Sequence, residues 1–120
     1  RLMYTNAGYP ALEIFRIEKN NFDSFDTEGI PLGYDPSATY GIGRTNLVRG
    51  DIGILYSKTL TTSKNQKGEE YGLLKLRNTV MELRTRGAAD IAAQVKNSFV
   101  SFMGLLSPTS DVVVIVFKIV

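Results

Sequence analysis

The chain has 120 residues, 43% hydrophobic and 22% charged, and this length and composition exclude disorder and favour one folded domain. It contains no cysteine and no histidine, which excludes disulfides, thiolate zinc sites, and imidazole-based catalytic triads or metal sites. Its net charge of +2 is too small to recruit nucleic acid or anionic lipid by electrostatic attraction.

The first half of the chain is predicted to form short strands. Residues 2–6 and 11–17 are strand-like, and the turn Gly8-Tyr9-Pro10 between them predicts a hairpin. A second turn at Asn20-Asn21 precedes another short strand. Residues 45–56 indicate two short strands or one bent strand, and we expect Asp51 to form the tight turn inside this segment rather than to bind a ligand.

The second half is predicted to contain two helices and a last strand. A polar loop after residue 57 carries Lys58, and apolar residues at helical spacing then predict a helix over residues 73–83. Gly87 is the expected stop of that helix, and a second one runs from Ala88 to Met103. The β-branched run 112–120 is typical of a central strand buried on both faces.

The ends of the chain and the lengths of its apolar runs indicate its domain boundaries and its location. Arg1 and Val120 both lie in strand-like segments, so we expect residues 1–120 to form a single domain that is the C-terminal portion of a larger one. The longest apolar run, residues 112–117, is far shorter than the roughly 20 residues of a membrane span. No signal-peptide pattern opens the chain, and we expect a cytoplasmic protein.

Six short motifs, in this order and spacing, carry a resemblance to a known family. They correspond to the family's AGHPP-like turn, PLG, PGD, LYTDG, GExFG and DDxT. In this chain they are Asn6-Ala-Gly-Tyr-Pro10, Ile30-Pro-Leu-Gly33, Arg49-Gly-Asp51, Leu55-Tyr-Ser-Lys-Thr59, Lys67-Gly-Glu-Glu-Tyr-Gly72 and Ser110-Asp-Val-Val113. The chain thus resembles the C-terminal half of the metal-dependent PP2C-type serine/threonine phosphatases of the bacterial SpoIIE/RsbU-like family.

The resemblance implies an α+β fold, part of a PP2C-like β-sandwich flanked by helices, with mostly antiparallel sheets, two consecutive helices and a final core strand. It also implies a site for two Mn²⁺ or Mg²⁺ ions, which take oxygen ligands. Such ions would activate a water for attack on a phosphoserine or phosphothreonine.

The residues of this chain depart from the family pattern at the metal ligands. Lys58 stands where LYTDG has its ligand aspartate, and Ser110 stands where DDxT has another. Asp111 is the remaining carboxylate, a ligand only after a small shift in register, and Tyr9 replaces the AGHPP histidine. An ammonium would repel a divalent ion. We therefore predict no bound cofactor for the chain as it stands, although the family uses Mn²⁺ or Mg²⁺.

Three roles remain open for Lys58: a solvated loop residue, a fixed cation that pins Asp111 or another acid, and a binder of phosphate or a partner.

Two main functions follow from the resemblance. One is a catalytically degenerate signalling module that regulates or interacts, with a phosphoprotein or another signalling protein as partner. The other is an active phosphatase completed by residues upstream. A third function, that of an unrelated α+β interaction domain, applies if the resemblance is accidental.

Half of a sandwich would expose strand edges and an apolar face. We therefore expect the chain to form a homodimer or to be completed by another segment.

Overall fold

Six strands and three helices are present in the computed structural model, which describes residues 1–120. In chain order they are β1 (Leu2–Tyr4), β2 (Leu12–Arg16), β3 (Asn21–Phe25), β4 (Gly43–Thr45), β5 (Ile52–Tyr56), α1 (Lys58–Thr62), α2 (Gly72–Glu82), α3 (Ala88–Met103) and β6 (Val114–Lys118). All paired strands are antiparallel. The expected α+β class with mainly antiparallel sheets is confirmed.

The larger sheet has four strands in the order β3-β2-β5-β6. Strands β2 and β3 form a hairpin in which Leu12 pairs with Phe25 and Arg16 with Asn21. Asn20 lies in the turn with a φ of 51°, a left-handed conformation that asparagine tolerates better than most residues. The turn predicted at Asn20-Asn21 is confirmed.

The hairpin predicted between the first two strands is wrong. Strand β1 pairs with β4 in a separate two-stranded sheet, with Leu2 opposite Thr45 and Tyr4 opposite Gly43. Gly43 permits this pairing because a Cβ at that position would lie 2.0 Å from the Tyr4 ring. The turn after β1 therefore leads the chain from the small sheet to the large one.

The hydrophobic core lies between the four-stranded sheet and the helices. Alternate residues of β2 and β5 face it, and they pack against the apolar stripes of α2 and α3; the fully buried members are Phe15, Ile52, Ile54, Leu76, Val80, Ile91 and Val95. Each large aliphatic side chain buried in this way contributes about 1.5–3 kcal/mol. The two helices predicted from periodicity are confirmed, although Gly87 precedes α3 as its N-cap rather than ending α2 directly.

Strand β6 differs from its predicted role. It lies at the edge of the sheet, so the prediction of a central strand buried on both faces is wrong. Val114 and Val116 pack against the core, whereas Ile115, on the other face, is 53% exposed. The apolar composition of β6 did not distinguish an edge from a centre, because hydrophobicity alone does not specify which strands pair.

The segment predicted as a polar loop after β5 begins with the short helix α1. Its residues, Lys-Thr-Leu-Thr-Thr, are mostly poor helix formers. The helix is anchored by Leu60, which is fully buried in the core. No helix of the chain has both the length and the hydrophobicity that a membrane span requires.

Candidate functional site

Ser57, directly after β5, is hydrogen-bonded to the segment that directly precedes β6. Its amide donates to the carbonyl oxygen of Val113 at 2.9 Å, and its hydroxyl accepts the Val113 amide at 3.0 Å. The same hydroxyl donates to the carbonyl oxygen of Asp111 at 3.4 Å. These bonds extend the β5–β6 pairing by one residue, and they bring the two segments that carry the predicted site residues to one end of the sheet.

Lys58 is the first residue of α1, and its side chain is exposed. No carboxylate of the chain lies within 4.0 Å of its ammonium, since the ion pairs are all formed by Arg16, Lys19 and Arg77. Ser110 and Asp111 are also exposed. The three predicted site residues thus share one end of the sheet, but Lys58 and Asp111 form no ion pair.

The turn that carries Tyr9 is held by the buried side chain of Asn6. The Asn6 Oδ1 accepts the amide of Tyr9 at 2.7 Å, and its Nδ2 donates to the carbonyl oxygen of Pro10 at 3.3 Å. Tyr9 is 46% exposed and lines an apolar cleft of about 280 Å³ that also reaches Leu55 of β5. The turn therefore lies beside the outer face of the sheet, near the end of β5.

The donor set at this end does not fit the pair of divalent ions that the resemblance implies. Mn²⁺ and Mg²⁺ require several oxygen ligands, with carboxylates as the main anionic donors. Asp111 is the one carboxylate among the three predicted site residues, and no three acidic side chains of the chain converge in a way that would hold a metal. The Lys58 ammonium adds a positive charge at this end of the sheet, and a positive charge disfavours a divalent cation nearby.

The opposite end of β5 carries a buried polar cluster around Asp51. Its carboxylate accepts the amides of Ile17 and Val48, each at 3.0 Å, and pairs with the Arg16 guanidinium at 3.2 Å. Its own amide donates to the carbonyl oxygen of Val48, closing a tight turn. The prediction that Asp51 forms a turn is confirmed.

Arg16 extends this cluster to β3 and β4. It pairs with Asp23 at 3.1 Å and donates to Thr45 Oγ1 at 2.6 Å. A hydrogen bond from Lys19, together with the Arg16 guanidinium, lowers the pKa of the Asp23 carboxyl below its usual value. The cluster links both sheets, and it is a structural rather than a reactive arrangement because every charge in it has a partner.

A second buried carboxylate, Glu13, lies between the sheet and α2, and the sequence analysis assigned it no role. Its side chain is 1% exposed, pairs with Arg77 of α2 and accepts a hydrogen bond from Ser24. Burial, followed by the charge of Glu13, raises the pKa of the neighbouring Tyr56 hydroxyl above 10.0. An acid inside the apolar stretch Ala-Leu-Glu-Ile-Phe was the available signal, since a buried carboxylate requires a partner.

Known structures share this arrangement of strands and helices. The SiaA-PP2C domain of Pseudomonas aeruginosa superposes with a TM-score of 0.70 at 12% identity, over 93% of this chain and 44% of that one. The PP2C phosphatase domain of SpoIIE from Bacillus subtilis, with a fragment of its regulatory domain, gives 0.72 at 17% identity, over 98% and 33%. The manganese-presoaked phosphatase domain of the same protein gives 0.69 at 17% identity, over 98% and 49%.

The fold is therefore that of PP2C-type phosphatase domains, and the chain spans half or less of the length of these three structures. The family model for stage II sporulation protein E (SpoIIE) matches residues 1–120. The chain belongs to the SpoIIE family, as its motifs indicated. Comparison with individually curated proteins gave no significant match.

Proposed function

We propose that this chain is a catalytically degenerate PP2C-type module that regulates or interacts with other proteins in bacterial signalling. The observation that carries the proposal is the residue type at one end of the sheet. Lys58 and Ser110 occupy the positions at which the family motifs have ligand aspartates, and Asp111 is left without acidic companions there.

The physical reason is electrostatic. Replacing an aspartate with a lysine changes the charge of a site by two units and removes an oxygen donor that a hard cation needs. A hydroxyl at Ser110 is a weaker, neutral donor. A pocket with these substitutions would retain the shape of the fold without the charge that holds the ions, so it would serve recognition better than hydrolysis.

A phosphoprotein or another signalling protein in the bacterial cytoplasm is the proposed partner. The support is the fold itself, because the structural neighbours are phosphatase domains and one is described as a cell fate determinant. The unpaired Lys58 ammonium at the site is compatible with binding a phosphate group of such a partner.

Hydrolysis of p-nitrophenyl phosphate over a range of Mn²⁺ concentrations tests the degenerate site. We expect no metal-dependent turnover from the natural chain, and stronger Mn²⁺ binding by calorimetry in a Lys58→Asp, Ser110→Asp double variant. Lys58→Met is the matched control, because it removes the ammonium without adding a ligand. Metal-dependent turnover in the natural chain that Lys58→Asp leaves unaltered would remove the basis of the proposal.

The alternative is an active metal-dependent protein serine/threonine phosphatase in which upstream residues complete the ligand set. Asp111 favours it, because Ser57 holds the backbone of this exposed acid at the end of β5. Calorimetric titration of Mn²⁺ into the longest natural form of the protein distinguishes the two functions. Tight binding that Asp111→Asn abolishes would favour the enzyme, whereas the absence of tight Mn²⁺ binding supports the degenerate module.

A further inference from the structure

A polar pocket of about 280 Å³ lies between the end of α1 and the segment that follows α3. Hydroxyl-bearing residues line both walls, Thr62 and Ser63 on the α1 side and Ser107 and Thr109 on the other. Lys64 is the only charged residue in the lining, which contains no carboxylate. Both walls belong to this chain, so the pocket is formed without a contribution from any other segment.

The segment after α3 has free hydrogen-bond donors at this pocket. The amides of Leu106 and Val113, on either side of it, are hydrogen-bonded to Met103 and to the Ser57 hydroxyl. Between them, the amides and hydroxyls of residues 107 and 109 donate no hydrogen bond within the chain. These four groups are therefore available to a ligand that accepts hydrogen bonds.

The hydroxyls on the α1 side have a structural role. The Thr62 hydroxyl donates to the carbonyl oxygen of Lys58 at 3.0 Å, and the Ser63 hydroxyl donates to that of Thr59 at 2.6 Å. Their hydrogens are already used, so they give no donor to a ligand. The bonds instead hold the end of α1, and with it the wall of the pocket that includes Lys64.

Lys64 has a fixed backbone and a free ammonium. It pairs with Glu70 in an antiparallel bridge, and the neighbouring Ser63 carbonyl accepts the amide of Tyr71 at 2.9 Å. None of the ion pairs of the chain includes Lys64. A positioned ammonium beside unpaired amides and hydroxyls favours a compact oxyanion, because hydrogen bonds to a charged acceptor are the stronger kind.

The C-terminus of α3 opposes an anion at this place. Met103, the last residue of the helix, lines the pocket, and the helix dipole disfavours negative charge there. That effect is screened by water, and it is smaller than one hydrogen bond between an ammonium and an anion. The balance therefore still favours anion binding when Lys64 is present.

We propose that this pocket binds the phosphate group of a phosphoserine or phosphothreonine on the partner, with Lys64, Ser107 and Thr109 donating to its oxygens. A phosphate monoester has three acceptor oxygens and nearly two negative charges, which suits several donors around one ammonium better than a carboxylate does. The inference rests on the proposed function only in taking a phosphoprotein as the partner. It does not depend on whether the chain binds metal, because none of these three residues is a predicted metal-site position.

Titration of O-phosphoserine into the isotope-labelled chain, followed by NMR, tests the pocket. We expect saturating shifts at the amides of Ser107 and Thr109, no such shifts with serine, and binding about fivefold weaker in Lys64→Met. Lys67→Met is the matched control, since Lys67 is an exposed lysine of the same loop that does not line the pocket, and it should bind as the natural chain does.

Two further arms identify the donors and the source of the phosphate. A Ser107→Ala, Thr109→Val double variant keeps the ammonium and should also bind O-phosphoserine more weakly than the natural chain. Inorganic phosphate should shift the same amides. If it binds more tightly than O-phosphoserine, the pocket takes the free ion, and the assignment to a phosphoprotein is wrong.

The same titration with the longest natural form of the protein tests whether the pocket is open there. We expect the same amides to shift, and a lack of response would overturn the proposal because another segment would then cover the pocket. Unweakened binding in Lys64→Met would also overturn it, and if Lys58→Met alone abolishes binding, the phosphate belongs to Lys58 instead. Metal-dependent turnover would overturn the proposed function without changing this titration, so the two failures are distinguishable.

Discussion

The two ends of strand β5 use charge in opposite ways. At its start, Asp51 is 1% exposed and bonded to two backbone amides and the Arg16 guanidinium. Just past its end, Lys58 is exposed and has no carboxylate within ion-pairing distance. Both residues belong to short motifs of the same family, yet one is integrated into the fold and the other is free.

The difference shows which charges the fold requires. A buried carboxylate costs several kcal/mol unless donors surround it, so the position of Asp51 is coupled to strands β2 and β4 through Arg16. An exposed ammonium has little influence on stability, and its identity can change without disturbing the sheet. The motif position at Lys58 is therefore available to binding or chemistry, whereas the one at Asp51 is committed to folding.

The largest expected effect is at the buried end. Asp51→Ala would leave the amides of Ile17 and Val48 without an acceptor and remove a partner from Arg16, and we expect a loss of about 3–5 kcal/mol in the free energy of unfolding. Urea denaturation monitored by circular dichroism measures it. Asp111→Ala, at the exposed end, is the control and should change stability by less than about 0.5 kcal/mol. Equal effects of the two substitutions would contradict the comparison.

The pair Glu13–Arg77 is intermediate in burial between Asp51 and Asp111, because Glu13 is buried while the Arg77 side chain is 31% exposed. We expect Arg77→Ala to cost about 2–3 kcal/mol, less than a fully buried pair, since water reaches the vacated position. A Glu13→Leu, Arg77→Met double variant removes both charges and should recover stability to within about 1 kcal/mol of the natural chain. Urea denaturation of the natural chain and the two variants measures these differences in the free energy of unfolding. A double variant less stable than Arg77→Ala would refute the explanation that the cost arises from the unpaired charge of Glu13.

Alkaline pH provides a smaller test of the buried side of the sheet. Burial raises the pKa of the Tyr56 hydroxyl above 10.0, so the folded chain keeps it neutral when the unfolded chain begins to ionise. The stability from this residue is fully present below pH 10 and is lost as the pH rises through the folded-state pKa. Denaturation midpoints between pH 9 and 11 should fall less steeply in Tyr56→Phe than in the natural chain. Tyr34→Phe, at a 78% exposed position, should leave the slope unchanged.

The smallest effect is expected at the exposed end. Lys58→Asp reverses a charge, yet it should alter the free energy of unfolding by less than about 0.5 kcal/mol because the side chain forms no ion pair. Thermal unfolding of the purified variant measures it. A loss above about 2 kcal/mol would show that Lys58 is a structural residue and that the two ends of β5 are alike.

Local patterns predicted the helices well. Leu76, Val80, Ile91 and Val95 recur at helical spacing, and they are among the residues that α2 and α3 bury. The turn at Asp51 and the hairpin turn at Asn20 were also predictable, because the preferences of these residue types act within a few positions along the chain. The six motifs indicated the family, and the family model matches residues 1–120 of the chain.

Non-local pairing was predicted poorly. The strand-turn-strand pattern at the start of the chain favoured a hairpin, but β1 pairs with β4, some 40 residues away. Helix α1 was missed because its threonines disfavour helices, and only the burial of Leu60 reveals why it forms. Ser57 was likewise not identified, since its hydrogen bonds to Val113 and Asp111 depend on how β5 and β6 are paired.

The sequence by itself determined the helices, most turns and the family, because each of these depends on residue identity at short spacing. Only the tertiary structure decided the partners of the strands, the edge position of β6, and the bonding of Glu13 and Asp51. Those outcomes depend on which distant segments meet, and strands of similar hydrophobicity do not specify their own partners. A buried acid and an exposed one look the same in a sequence until the donors around them are known.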